Sequence, residues 1–199
     1  DADVYQYGTD YLEFAPGSED GDFTFTFEGD PIVTLVPTQA PEGEWMMWGN
    51  RGDDSNTTMT RAFDLSGLER ATLRYQLWYD LEPEYDYAYV MVSTDRGELW
   101  TVLETDATTL ENPHGNSFGR AYNGTSGSED DDSPSQWIEQ EVDLSPYAGE
   151  EVLVRFEVIT DDALNENGVV VDAIEIPELD YLASFEAGHD AWEWERWVR

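Results

Sequence analysis

Lysine and cysteine are both absent from this 199-residue chain, and histidine occurs only twice. Without cysteine there is no disulfide, no thiolate metal ligand and no thiol nucleophile. That absence is compatible with an extracellular location without requiring one. The two histidines, His114 and His189, lie far apart in polar surroundings, so an HExxH zinc-protease centre has no counterpart here. With no lysine, all nine basic residues are arginine, set against 45 acidic ones, for a formal charge of -36. Such a balance argues against a nucleic-acid partner, because neutralising phosphates needs a basic face. An anionic membrane surface is disfavoured for the same reason. No apolar run approaches the roughly 18 residues of a membrane span, and no signal peptide is visible, so no membrane insertion is expected. The chain opens at Asp1, which leads us to expect a processed or excised piece of a longer protein.

Hydrophobic residues make up 40% of the chain and aromatics 14%, enough for a proper core and too much for a disordered acidic tail. Self-repulsion of this size destabilises a compact state unless ions screen it. At molar salt the Debye length falls to about 3 Å, which removes most of the penalty. A high-salt environment is therefore expected. The plainer account of the same composition is an arginine-favouring genome, with acidity serving solubility alone.

Helical periodicity is scarce, and period-2 alternation recurs between Gly, Pro, Asn and Asp clusters. FTFTF (23–27), IVTLV (32–36), EWMMW (44–48) and TTMTRAF (57–63) are candidate strands. RATLRYQLWY (70–79) puts Leu73, Tyr75, Leu77 and Tyr79 on one face. DYAYVMVST (86–94) and ELWTVLE (98–104) flank an Asp-Arg-Gly turn and read as a hairpin. QWIEQEVDL (136–144), EVLVRFEVI (151–159) and GVVVDAIEI (168–176) complete the set. The expectation is an all-β fold, an antiparallel two-sheet jelly-roll sandwich over residues 1–178. Residues 179–199 are expected to form an extra strand segment or the start of a following module. In AWEWERWV, Trp192 and Trp194 fall on one face of that strand, too much aromatic surface to leave exposed. The segment docks on its own sandwich, begins another module, or pairs with a neighbouring chain. Residues 105–135 are long, polar and rich in Gly and Asn, the composition of a functional or mobile loop.

Several short motifs carry little. HGNSFG contains a GxSxG match around Ser117, but its flanks are loop rather than the strand and helix of a nucleophile elbow. STDRGELW (93–100) fits an Asp-box, whose physics is structural: Asp95 caps turn amides and Trp100 folds beneath the hairpin. NENG (165–168) fails as an EF-hand because Ala163 and Ile174 occupy ligand positions. Asn56 and Asn123 head glycosylation sequons, meaningful only in a secreted, glycosylated chain.

The stretch WYDLEPEYDYAYVMV is more telling. Asp86 alternates with Ala88, Val90 and Val92, and in GVVVDAIEI Asp172 alternates with Val170, Ile174 and Ile176. A carboxylate on an apolar face is costly when ionised and unpaired. Nine arginines cannot serve 45 acids. A hard cation can, and calcium accepts six to eight oxygens in flexible geometry. The expected site comprises Asp86 and Asp172, completed by Glu82 (or Glu84), with Asp53 a weaker candidate. The alternative leaves both aspartates at sheet rims, bonded to backbone amides or water. On the opposite face of the Asp86 strand, Tyr85, Tyr87 and Tyr89 form a row that, with Trp45, Trp48 or Trp78, suits a sugar-stacking platform or simple packing.

WGNRGDDSNTTMTRAFDLSG, LRYQLWYDLEPEYDYAYVMVSTDRGELWTVL, WIEQEVDLSPYAGEEVLVRFEVITD and GVVVDAIEI together resemble the non-catalytic, MAM-like jelly-roll domain of immune inhibitor A-like secreted metallopeptidases. The similarity spans about residues 5–176 and is most specific from Trp78 to Trp100. It implies an extracellular accessory sandwich, often calcium-stabilised, downstream of a zinc protease domain. Asp86 and Asp172 match aspartates of the family pattern, whereas the family's zinc motif is missing. The function expected is a calcium-stabilised accessory module engaging glycan or protein at the cell surface. The alternatives are a subunit that self-associates through residues 181–199 by β-augmentation, and an excised fragment of a metallopeptidase.

Overall fold

The computed structural model describes residues 33–127, 133–188 and 190–199, with Thr26 and Gly29 besides. The chain divides into two units, Asp1–Val33 and Thr34–Arg199, and the strands of the described residues lie in the second. The FTFTF stretch, apart from Thr26, lies outside the described residues, as does the SEDDD run. Of IVTLV, residues 33–36 are described and form no strand.

Ten strands make up nearly all the regular structure of the described residues. They are β1 (Met47–Trp48), β2 (Asn56–Asp64), β3 (Thr72–Asp80), β4 (Tyr87–Ser93) and β5 (Thr101–Val102). After the long loop come β6 (Ile138–Asp143), β7 (Glu151–Ile159), β8 (Gly168–Ile176), β9 (Tyr181–Ala183) and β10 (Glu193–Glu195). One sheet runs β1-β8-β3-β6, with β9 also paired to β8; the other runs β10-β2-β7-β4-β5. Every pairing is antiparallel. The result is the two-sheet β-sandwich that the alternation predicts. No helix among the described residues is long and apolar enough to cross a membrane.

Alternation decides which side chains meet between the sheets. Leu73, Tyr75, Leu77 and Tyr79 of β3 face Ala88, Val90 and Val92 of β4 and Val152, Val154, Phe156 and Val158 of β7 in one core. At the β4–β5 hairpin, Arg96 and Gly97 take φ of 64° and 90°, the reversal that the DRG triplet predicts. Asp95 accepts the Leu99 amide at 2.9 Å, and the Trp100 indole donates to the Gly97 carbonyl at 3.1 Å. The Asp-box is thus a turn brace.

Two departures from simple alternation matter for the site. The first is in β8, where pairing with β3 shifts register between Arg74 and Gln76 and Ala173 takes a φ of 48°. A bulge inserts one residue and turns the chain over. Val169 and Val171 before it, and Ile174 and Ile176 after it, all face the core, whereas Val170 faces outward with Trp78 and Val36. Asp172 therefore shares a side with Val170 alone, which corrects the grouping of Asp172 with Ile174 and Ile176. An even spacing carries no trace of the extra residue.

The second departure is at the C-terminus. Trp192 is 1% exposed within the core, while Trp194 is 39% exposed, so the two do not share a face. Asp190, Ala191 and Arg196 all have positive φ, which confines the extended run to Glu193–Glu195 and breaks the alternation on either side. Trp192 stacks edge-on against Phe63 and donates its indole N–H to the Tyr181 hydroxyl at 2.9 Å. Trp197 is buried in the same core, and β10 pairs with β2. The aromatic surface offered to a neighbour in the assembly reading is in large part used within the chain.

Within residues 105–127, Tyr122 bridges the edge of β4 at Ala88, Thr125 bridges Asp80 of β3, and Thr109 bridges Ala121 inside the loop. Replacing Trp192 by Ala is expected to cost about 3–5 kcal/mol in urea unfolding, in the range for a large buried aromatic. Replacing Trp194 by Ala is expected to cost about 1 kcal/mol or less. Equal losses at the two positions would contradict the docking of this segment.

Candidate metal centre

The acidic turn within WYDLEPEYDYAYVMV joins β3 to β4 and is tightly braced. The Asp86 amide donates to the Glu82 carbonyl at 3.1 Å, and Glu84 takes a φ of 72°. Asn123, from the long loop, fastens the turn from outside. Its side-chain amide donates to the carbonyls of Glu82 and Asp86 at 3.2 and 2.8 Å, and its oxygen accepts the Glu84 amide at 3.0 Å. A sequon asparagine is thus a structural brace.

Just past the end of β7, which pairs Ile159 with Tyr87, the chain brings Asp161 against Asp86. The Asp161 amide donates to Asp86 Oδ1 at 3.0 Å, and the Asp161 carbonyl accepts the Asp54 amide at 2.6 Å. Glu82, Asp86 and Asp161 each offer a carboxylate oxygen, and these three atoms lie within 4.8 Å of one another. Calcium–oxygen bonds are about 2.3–2.6 Å, so oxygens up to roughly 5 Å apart can share one ion. An all-oxygen, all-anionic donor set fits a hard cation and not a soft one.

The electrostatics point the same way. Asp86 is 2% exposed. Burial pushes its carboxyl up to about 7; the Asp161 amide opposes this, and the charges of Asp161, Glu82 and Asp53 add to it. The Glu82 carboxyl is also raised, first by burial and then by Asp161, Glu166 and Asp162. None of the ion pairs among the described residues reaches these three acids. A cavity of about 10 Å³, bordered by Asp86, Asp80, Thr160, Glu166 and Gly168, adjoins the site.

Of the four metal candidates, the structure brings Asp86 and Glu82 together. Asp53 is exposed and close enough for its charge to be felt at Asp86, but its oxygen is taken by the Asn165 side-chain amide. Asp172 is elsewhere, on the other sheet and on that sheet's outer side. It lies four residues, or about 13 Å of extended chain, beyond Gly168, which pairs with Asp80. Asp86 and Asp172 therefore do not share an ion, which corrects the single combined site. Asp161 escaped the sequence reading. Its signal was an acid just beyond the inward alternation of β7, and what hid it was the pairing of β7 with β4, which no local pattern specifies.

The four ligand candidates do not form one surface. Tyr87 and Tyr89 are buried on the outer side of β4 beside Ala121 of the long loop. The Tyr87 hydroxyl donates to the Glu84 carbonyl at 2.8 Å, and the Tyr89 hydroxyl accepts the Phe118 amide at 3.0 Å. Tyr85 is half-buried and stacks on His114 with ring centres 4.3 Å apart. Trp48 sits on the outer side of the opposite sheet, beside Val170 and Trp78, its indole donating to the Asn167 carbonyl at 2.9 Å. Packing, the plainer of the two readings, accounts for Tyr87, Tyr89 and Trp48.

Comparison with known proteins supplies the lineage. The family model described as "Immune inhibitor A-like, MAM domain" matches residues 28–185. The chain is 30% identical over 146 residues to Pre-pro-metalloprotease PrtV of Vibrio cholerae, covering 73% of this chain and 14% of that protein. It is 30% identical over 131 residues to Immune inhibitor A of Bacillus thuringiensis, covering 65% of this chain and 17% of that protein. Bacillopeptidase F of Bacillus subtilis is 24% identical over 151 residues, 72% of this chain and 9% of that protein. The chain thus spans less than a fifth of each of these relatives. With its two-sheet antiparallel sandwich and this match, the chain belongs to the immune inhibitor A-like MAM domain family.

Proposed function

We propose that the chain is a non-catalytic accessory module of a metallopeptidase-type protein acting outside the cell, and that a calcium ion held by Glu82, Asp86 and Asp161 stabilises it. The carrying observation is the meeting of three carboxylate oxygens within 4.8 Å around a buried aspartate. Such an ion would tie the β3–β4 turn to the end of β7 and remove the cost of burying Asp86 ionised. Its contribution is structural: its donors come from a turn and a strand end of the sandwich frame.

Further support for a non-catalytic role comes from Ser117, whose hydroxyl donates to the Gly119 carbonyl at 2.6 Å rather than to a base. The role that remains for a rigid sandwich is to position neighbouring domains and to meet protein or glycan at the cell surface through exposed loops. The net charge of -36 supports a saline setting for the parent protein, where screening shortens the reach of acid–acid repulsion.

Calcium at a hundredfold over its dissociation constant is expected to stabilise the fold by about 2.7 kcal/mol. For a domain of this size that raises the melting temperature by roughly 5–10 °C. Differential scanning calorimetry of the chelator-treated chain, with and without calcium chloride, reads this. Asp86→Asn and Asp161→Asn each remove most of the response. A melting temperature indifferent to calcium would contradict the reading.

The pH dependence carries a sign. In the metal-free chain the Asp86 carboxyl holds its proton up to about 7, against about 3.9 when unfolded. The native state then binds more protons than the unfolded one between those values, so stability falls as pH rises from about 4 to 7. Calcium, which favours the carboxylate, flattens or reverses that fall, and metal-free Asp86→Asn shows a shallower one. Urea denaturation across this range checks it; identical slopes in parent and variant would refute the assignment.

A further inference from the structure

Met59 and Phe63 of β2 and Val154 and Phe156 of β7 face the core. Alternation therefore turns Thr58, Thr60 and Ala62, with Leu153 and Arg155, to the outer side of that sheet. Glu193 of β10 stands opposite Thr60 and Glu195 opposite Thr58, so both carboxylates join that side. There they line a trough with cavities of about 620 and 450 Å³, which share Thr58, Arg155 and Glu195. It runs along β2 from Asn56 to Ala62, about 20 Å of extended chain. On β4 of the same sheet the outward Tyr87 and Tyr89 are buried instead.

Arg155 sits at the middle of the trough and is held on three sides. Its Nε donates to the Thr60 hydroxyl at 2.9 Å, its Nη1 lies 3.6 Å from Glu157 Oε2, and its guanidinium lies 4.0 Å from the Trp100 ring centre. Glu157 is fixed in turn by the Asn56 side-chain amide at 2.9 Å. Nη2 has no acceptor among the described residues, on a side chain still 27% exposed. A guanidinium ordered in advance gives its remaining N–H groups to a ligand at little entropic cost. Across Thr60, Glu193 is exposed and forms no ion pair among the described residues.

The chemistry of the trough selects its occupant. β2 is paired on both flanks, to β10 and to β7, so its backbone cannot take up an added peptide strand. The buried centre of a protein interface is depleted of charge, whereas this floor carries hydroxyls, carboxylates and a guanidinium. A polyanion would meet Glu157, Glu193 and Glu195 around a single arginine. A ligand of closely spaced hydroxyls fits, because carboxylates accept from them and the guanidinium donates to them. Trp194, 39% exposed, borders the trough and adds an amphipathic aromatic surface. We propose that the trough binds a neutral polysaccharide chain lying along β2, with Arg155 and Glu193 making the polar contacts on either side of Thr60. This rests on the glycan part of the function proposed above and not on the calcium ion.

Electrophoresis of the 199-residue chain through native gels containing hydroxyethylcellulose, galactomannan or dextran, each against a gel without polysaccharide, tests it. The charge of -36 gives a strong mobility for retardation to act on. Retardation is expected in at least one of these neutral gels and not in alginate. Arg155→Gln and Glu193→Ala are each expected to raise the dissociation constant by about tenfold, the loss of one hydrogen bond to a charged group. Glu193→Ala, at an exposed position, keeps the site readable should Arg155→Gln fold poorly. No retardation in any neutral gel, or retardation in alginate alone, overturns the proposal and leaves the calcium-dependent melting temperature untouched. Retardation that neither substitution weakens puts the glycan contact on another surface, which overturns the trough and spares the glycan reading.

Discussion

The constraint on which this domain turns is the cost of putting a carboxylate where water cannot reach it, in a chain with almost no positive charge to spare. Asp86 closes the end of the core beyond Ala88, Val90 and Val92, and it has one backbone donor, the Asp161 amide. The usual remedy for a buried acid is an arginine. Here Arg74 pairs with Glu141 and Glu175, Arg120 with Glu104 and Arg155 with Glu157, while Arg51 borders the cavity beside Asp86 but forms no ion pair with it. Two remedies remain, a proton or a metal ion. A proton leaves Glu82 and Asp161 as crowded as before; one calcium ion relieves all three.

That choice organises the surrounding structure. The β3–β4 turn, the end of β7 and the long loop arrive at the site from distant parts of the chain, anchored in the core by Leu81, Val158 and Tyr122. Asn123 satisfies three polar groups of the turn at once, which keeps Glu82 and Asp86 oriented without supplying any positive charge. On the opposite sheet the bulge in β8 turns Asp172 away from the core.

Much of the frame was legible before any coordinates. Strict alternation in RATLRYQLWY, in DYAYVMVST and in EVLVRFEVI decided which side chains meet, because a period of two has only two faces. The DRG triplet named the hairpin, and the Asp86–Glu82 association followed from their closeness in one turn. Three things were not legible. The bulge at Ala173 was hidden because an alanine in a left-handed conformation has no sequence signature, and it moved Asp172 to the wrong side. Asp161 was hidden because strand pairing is non-local. The tyrosine row misled because Tyr87 and Tyr89 face away from the core, as alternation says, yet a long polar loop folds back beside them.

The central claim is that the acids around Asp86 share a captured divalent ion. X-ray data collected near the long-wavelength limit from crystals grown with calcium chloride address it without intermediaries. The expected result is an anomalous peak about 2.3–2.6 Å from carboxylate oxygens of Glu82, Asp86 and Asp161. A map with no anomalous peak there, and with the Asp86 carboxyl donating a hydrogen bond to a neighbouring oxygen, would contradict it.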